Sequence, residues 1–185
     1  MIVAGRGGTQ LKRLVVAAMA ALAFAPAATA QRPSLDGFEN FRFGMSEQEL
    51  RKLADLREVQ LLGGRETAWD ASQPITVSGI EYRRRFLLKN QKLDTIILVN
   101  DANGDTFDTC FRRFERALGS LEAKYGQPDR GPERDLDTTV SRASAEFKFP
   151  NAARITILTF YSNAVGIQPR GCSTSVHYQA AGNSF

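Results

Sequence analysis

Between Phe107 and Tyr125 one apolar stripe constrains the rest of the chain. Phe107, Phe111, Phe114, Leu118, Leu121 and Tyr125 step by 4, 3, 4, 3 and 4 residues, the period that lines up one face of an α-helix. Gly126 and Pro128 then end it, because glycine accepts a positive φ and proline cannot extend the ladder. Four rings and two leucines on one stripe need a wide apolar partner, and the flanking sequence offers strands. Ile80, Tyr82, Phe86 and Leu88 recur every second residue in a predicted strand over 79–88, with Arg84 interrupting. Residues 89–92 turn into a return strand over 93–99, which makes a hairpin. Three more strands are predicted over 140–149, 155–161 and 172–180.

A second helix start lies upstream. Ser46 followed by Glu49 is a capping box, flanked by Met45 and Leu50 at the staple positions, and predicts a helix over 47–57. Phe41 and Phe43 around Arg42 give a short strand signal, while 65–74 and 127–137 read as loops. The expectation is one α+β domain over 31–185, with two helices on one face of a largely antiparallel sheet of about five strands, ordered α-β-β-α-β-β-β. Both halves run helix then strands, but their sequences differ too much to establish a repeat.

Residues 1–30 read as an export signal. Arg6, Lys12 and Arg13 form a positive start, Leu14 to Ala25 is almost wholly apolar, and Ala28-Thr29-Ala30 supplies the small residues of a cleavage site. The apolar run of 12 residues before Pro26 is short of the ~20 that span a bilayer, so no membrane span is expected after the signal is cut. Lys12-Arg13 is not a twin arginine, and Gln31 after the cut is not the cysteine of a lipoprotein. The location expected is periplasmic or secreted.

Charge has to be counted after the cut. The whole chain carries +4, but losing three cations takes Lys plus Arg from 24 to 21 against 20 acids, which leaves +1. A near-neutral domain has little long-range pull on phosphate backbones, so nucleic acid is not an expected partner. In an oxidising compartment the only two cysteines, Cys110 and Cys172, are expected to form one disulfide. A Cys–His nucleophile pair is disfavoured, because His177 alternates to the strand face opposite Cys172.

Few groups point to chemistry. With one histidine and two cysteines, zinc and iron–sulfur sites lack ligands. Asp101, Asn103 and Asp105 have the spacing that opens a calcium loop, but its sixth and twelfth positions hold Thr106 and Arg112. A turn at Asn103-Gly104, with Asp105 capping the helix, accounts for the same residues. Arg83, Arg84 and Arg85 form a candidate anion or partner patch, with Arg112, Arg113 and Arg116 adding charge on the long helix. Nearby acids also allow a solvated, locally paired surface, and Arg84 falls on the apolar phase of its strand. His177 is a general-base candidate for which the sequence names no nucleophile or orienting acid. No catalytic residue, metal ligand or cofactor site is assigned.

Phe43-Gly44-Met45-Ser46-Glu47-Gln48-Glu49-Leu50 and the later Lys124-Tyr125-Gly126-Gln127-Pro128 resemble a pattern of small bacterial envelope proteins. In these a G-M-[ST] turn starts a helix and a β-meander follows. The pattern is similar to that of BamE/SmpA-type outer-membrane-assembly lipoproteins and of β-lactamase-inhibitor-protein-like modules. It implies a non-enzymatic envelope module with a protein partner and assigns no functional residue. The expected function is therefore protein binding or an envelope-accessory role. An inhibitor or immunity protein against a secreted enzyme, or a small hydrolase centred on His177, are the alternatives.

Overall fold

Loop chemistry and strand edges decide this architecture as much as the long helix does. A computed structural model describes residues 32–60, 67–136, 140–163 and 171–182. The expected 1–30 signal lies outside them. The elements run β1 (Gly37–Phe38), β2 (Phe41–Arg42), α1 (Glu47–Arg51), β3 (Leu56–Val59), β4 (Thr67–Ala71), β5 (Ile75–Val77), β6 (Ile80–Lys89) and β7 (Lys92–Asn103). Then follow α2 (Phe107–Tyr125), β8 (Arg130–Asp135), β9 (Val140–Lys148), β10 (Arg154–Ser162) and β11 (Gly171–Gln179).

The sheet corrects the expectation of about five strands. Nine strands form it, in the order β3-β4-β6-β7-β11-β10-β9-β8 with β5 added on β6, and every pairing is antiparallel. β1 and β2 pair separately as a small ribbon. The element order departs from α-β-β-α-β-β-β for the same reason: β3, β4 and β8 fall where a helix end or loops were expected, and β5 falls on residues to which no element was assigned. A sheet of this size also overturns the likeness to BamE/SmpA-type and β-lactamase-inhibitor-protein-like modules, which implied a small body.

Each missed strand has a physical cause. β4 reads Thr-Ala-Trp-Asp-Ala, poor in β-branched residues, and takes its shape from pairing with β3 and β6. β8 is exposed along its whole length and carries Gly131-Pro132. Proline is tolerated there because β8 is an edge strand, paired only with β9 through a register irregularity between Arg130 and Glu133. α1 stops at Arg51 and not near residue 57, because Leu56 leaves the helix to be buried in β3.

Both helix starts share one geometry. Gly44 and Gly104 take φ +84° and +81°; two residues later Ser46 and Thr106 cap α1 and α2 from extended backbone. Ser46 makes the full capping box with Glu49, and hydrogen bonds from the Ser46 backbone N–H and hydroxyl hold the Glu49 carboxyl below its ordinary range. At the second start the cap is Thr106, not Asp105. The fourth residue after each cap, Leu50 or Cys110, is fully buried.

The helices lie on the same face of the sheet. α2 packs on β9, β10 and β11, burying Phe111, Phe114, Leu118 and Leu121. On the β3–β7 side, Phe41 meets Phe86 and the Arg51 guanidinium stacks over Trp69 at 4.5 Å, while Phe38 meets Tyr178 of β11. Cys110 and Cys172 are joined as a disulfide, Cα–Cα 5.6 Å, that ties the first turns of α2 to β11. Among the described residues, no helix is long and apolar enough to cross a membrane.

Candidate functional site

A two-period strand sends alternate side chains to opposite faces, so the register identifies what the second face carries. One row across the sheet reads Arg57, Asp70, Arg85, Ile97, His177, Thr156, Glu146 and Arg130. The next, shorter, reads Arg83, Val99, Ser175, Leu158, Ser144 and Glu133, and a third reads Asp101, Ser173, Phe160, Arg142 and Asp135. No described helix packs on this face. Its middle mixes apolar Ile97, Val99, Leu158 and Phe160 with His177, Ser175, Ser173 and Thr156, and its two ends are charged. Phe160 is 40% exposed; Ile97, Val99 and Leu158 are half-buried. Toward the β6–β7 turn, Ala68, Leu87, Thr95 and Gln179 on the same face are buried.

The charged ends are ordered by ion pairs. Arg85 grips Asp70 with two hydrogen bonds of 2.7 and 2.9 Å, and this contact raises the Arg85 pKa further. Arg83 donates to Asp101 at 2.6 Å, and Ser173 donates to the other Asp101 oxygen at 2.7 Å. Arg142 lies over the Phe160 ring at 5.8 Å. Exposed pairs of this kind add only ~0.2–1 kcal/mol each to stability. Their effect is to hold long side chains in place around the apolar middle.

Strand alternation divides the expected arginine patch. Arg83 and Arg85 lie on the open face, whereas Arg84 points to the helix-bearing face. There its guanidinium lies 3.6 Å from Glu39, donates to the Gln73 carbonyl and sits over the Phe41 ring. The calcium-like triplet is likewise dispersed, because β7 runs on through Asn103 instead of turning at Asp101. Asp101 and Asn103 face Ser173 and Gly171 across the ladder, while Asp105 sits 2.7 Å from Arg113. Among the described residues no group of three or more His, Cys, Asp or Glu is arranged to hold a metal ion.

His177 belongs to the open face and Ser175 lies beside it, Oγ to Nε2 2.9 Å. Burial lowers the imidazole pKa to about 4, so the ring is neutral at neutral pH. With its proton on Nδ1 it can accept a hydrogen bond from the Ser175 hydroxyl, but it is a weak base for taking the proton. The contact is one element of nucleophilic catalysis. The nearest carboxylate in the row, Glu146, lies two strands away, and the surrounding backbone N–H groups are used in the ladders with β7 and β10. An oxyanion would find no preorganised donors at this point.

The apolar middle had a sequence signal. Ile96-Ile97-Leu98-Val99 is apolar on both strand phases, and Leu158 adds an apolar residue to the Thr156 phase of its strand, more than a sheet with one solvated face requires. No protein-family model, curated protein or solved structure matches the chain.

Proposed function

We propose that this chain is exported and acts as a non-enzymatic protein-binding domain in the envelope or outside the cell, gripping its partner with the open face of the sheet. One observation carries the proposal: Ile97, Val99, Leu158 and Phe160, interleaved with Ser173, Ser175 and His177, lie between charged, ion-paired ends on a face that no described helix covers. An apolar centre inside a polar rim is the anatomy of a protein interface. Export is supported by the three-part character of residues 1–30 and fits the Cys110–Cys172 bridge. The edge strands favour face binding over strand addition: β3 has four residues, and β8 carries Pro132 and four charges.

A photo-crosslinking residue placed at Phe160 or Ser175, with half-buried Glu122 of α2, away from the open face, as the control position, tests the proposal in envelope and culture extracts. Adducts from Phe160 and Ser175 that vanish when Leu158→Asp is added are the expected result. Equal labelling from Glu122 refutes the docking face. The hydrolase alternative rests on the 2.9 Å contact between Ser175 and His177. It is excluded if His177→Ala leaves every phenotype of a deletion strain fully complemented.

A further inference from the structure

The other face of the molecule holds a second cluster of arginines. A cleft of about 400 Å³ lies between the solvent-facing side of α2 and the start of β6, lined by Gly79, Asn100, Thr109, Arg112, Arg113 and Arg116 among others. Three arginines within five residues of one helix project around it. Arg113 is already committed, its guanidinium 2.7 Å from Asp105 and donating to the Cys172 sulfur at 3.5 Å. Arg112 donates only to the Thr109 hydroxyl, at 3.3 Å. The Arg116 guanidinium lies above Gly79, where an added Cβ would sit 3.9 Å from Nη1. Neither Arg112 nor Arg116 has a carboxylate partner among the described residues. Glu81 also borders the cleft, but strand alternation sends its side chain to the open face with Arg83, and its carbonyl oxygen is occupied by the Asn100 amide at 2.7 Å.

Asn100 adds an independent observation. Its Nδ2 donates to the Glu81 carbonyl, which fixes the amide orientation and leaves Oδ1 buried without a donor. The cleft therefore offers two guanidinium groups without a described carboxylate partner, and an Asn100 acceptor without a donor in its wall. Guanidinium forks match the oxygens of carboxylate or phosphate in two-point fashion, and the buried acceptor matches an O–H or N–H next to that anion.

We propose that this cleft binds an oxyanion that carries an adjacent hydrogen-bond donor, with Arg112 and Arg116 holding the anion and Asn100 Oδ1 taking the donor. Hydrogen phosphate has both features in one ion; a glutamate side chain and a backbone N–H supply both in an acidic peptide. The site is on the helix-bearing side of the sheet and does not depend on the open face, so either proposal stands if the other fails.

The test titrates the oxidised protein with inorganic phosphate and, separately, with acetyl-Glu-Glu-amide, following the arginine Nε–H resonances. Saturable shifts at Arg112 and Arg116 are expected with at least one probe. Affinity should fall by about tenfold or more in R112Q/R116Q and stay unchanged in R134Q, whose guanidinium is paired with Glu115. Saturation by phosphate alone assigns a tetrahedral ion, and saturation by the peptide alone assigns a carboxylate-bearing partner. No saturation with either probe, or the same affinity in R112Q/R116Q, overturns the proposal.

Discussion

The two halves of the sheet follow one plan and finish it differently. A glycine with positive φ, a hydroxyl cap and a helix precede a four-stranded antiparallel run in each: α1 then β3-β4-β6-β7, and α2 then β8-β9-β10-β11. The last strands, β7 and β11, pair and join the halves, so the strand order reads outward in the same sense from the centre. α2 has 19 residues and roofs its half. α1 has five, and its half is closed by the β1–β2 ribbon and by Arg51 and Arg84 lying over Trp69 and Phe41. One roof is a helix stripe held by a disulfide; the other is assembled from rings and guanidinium groups.

The largest expected effect separates the halves by their cross-link. Reducing Cys110–Cys172, which closes a loop of separation 62, should cost about 4 kcal/mol in the chain-entropy account. Hydrogen exchange should rise first in α2 and β11, and an equal rise in β3 and β4 would show that the halves are not distinct. Next is the short helix. Leu50 is fully buried, and Leu50→Ala should cost about 3 kcal/mol in denaturant unfolding. Because Leu50 belongs to the same continuous core as Phe114, the loss should appear in one shared transition. Two separate transitions would break that unity.

The seam between the halves gives a pH test. Burial lowers the His177 pKa from 6.5 to about 4, so between those values the unfolded chain binds a proton that the folded chain refuses. Stability is then full above about pH 6.5 and falls as pH drops toward about 4, by up to about 3 kcal/mol. His177→Gln should flatten that part of the stability profile; an unchanged acid limb would place the acid sensitivity elsewhere. The smallest effect compares the two caps. Ser46→Ala and Thr106→Ala should each cost about 1 kcal/mol, the former more, because it also releases Glu49 from the capping box.

What the sequence made legible was local. The capping box, the α2 stripe, the β6–β7 hairpin and the strands of β9 to β11 rest on contacts close in the chain or on strong periodicity. The disulfide was legible too, because only two cysteines exist and both fall on apolar phases. The elements that escaped are stabilised from outside themselves. β4 depends on its neighbours, β8 is an edge strand that tolerates proline, and β3 begins where a helical pattern is overridden by the burial of Leu56. The β7–β11 pairing joins residues far apart in sequence, and nothing in either strand announces it. At the candidate site, Arg83 and Arg85 were visible as charge. Ile97, Val99 and Leu158 were visible only as apolar residues in excess of one buried face, since such a run does not say which of its residues faces away from the core.

That central pairing fixes an order of events. β7 is complete by Asn103, yet its partner β11 follows only after α2, β8, β9 and β10. During synthesis the β7 edge that β11 covers stays unpaired until α2, β8, β9 and β10 have emerged. Cys172 lies on that same late strand, so the bridge cannot close before the seam is within reach. Non-local closure of this kind is slow and leaves a strand edge open to wrong pairing in the meantime. The period of greatest vulnerability for this pairing thus falls just before β11 arrives.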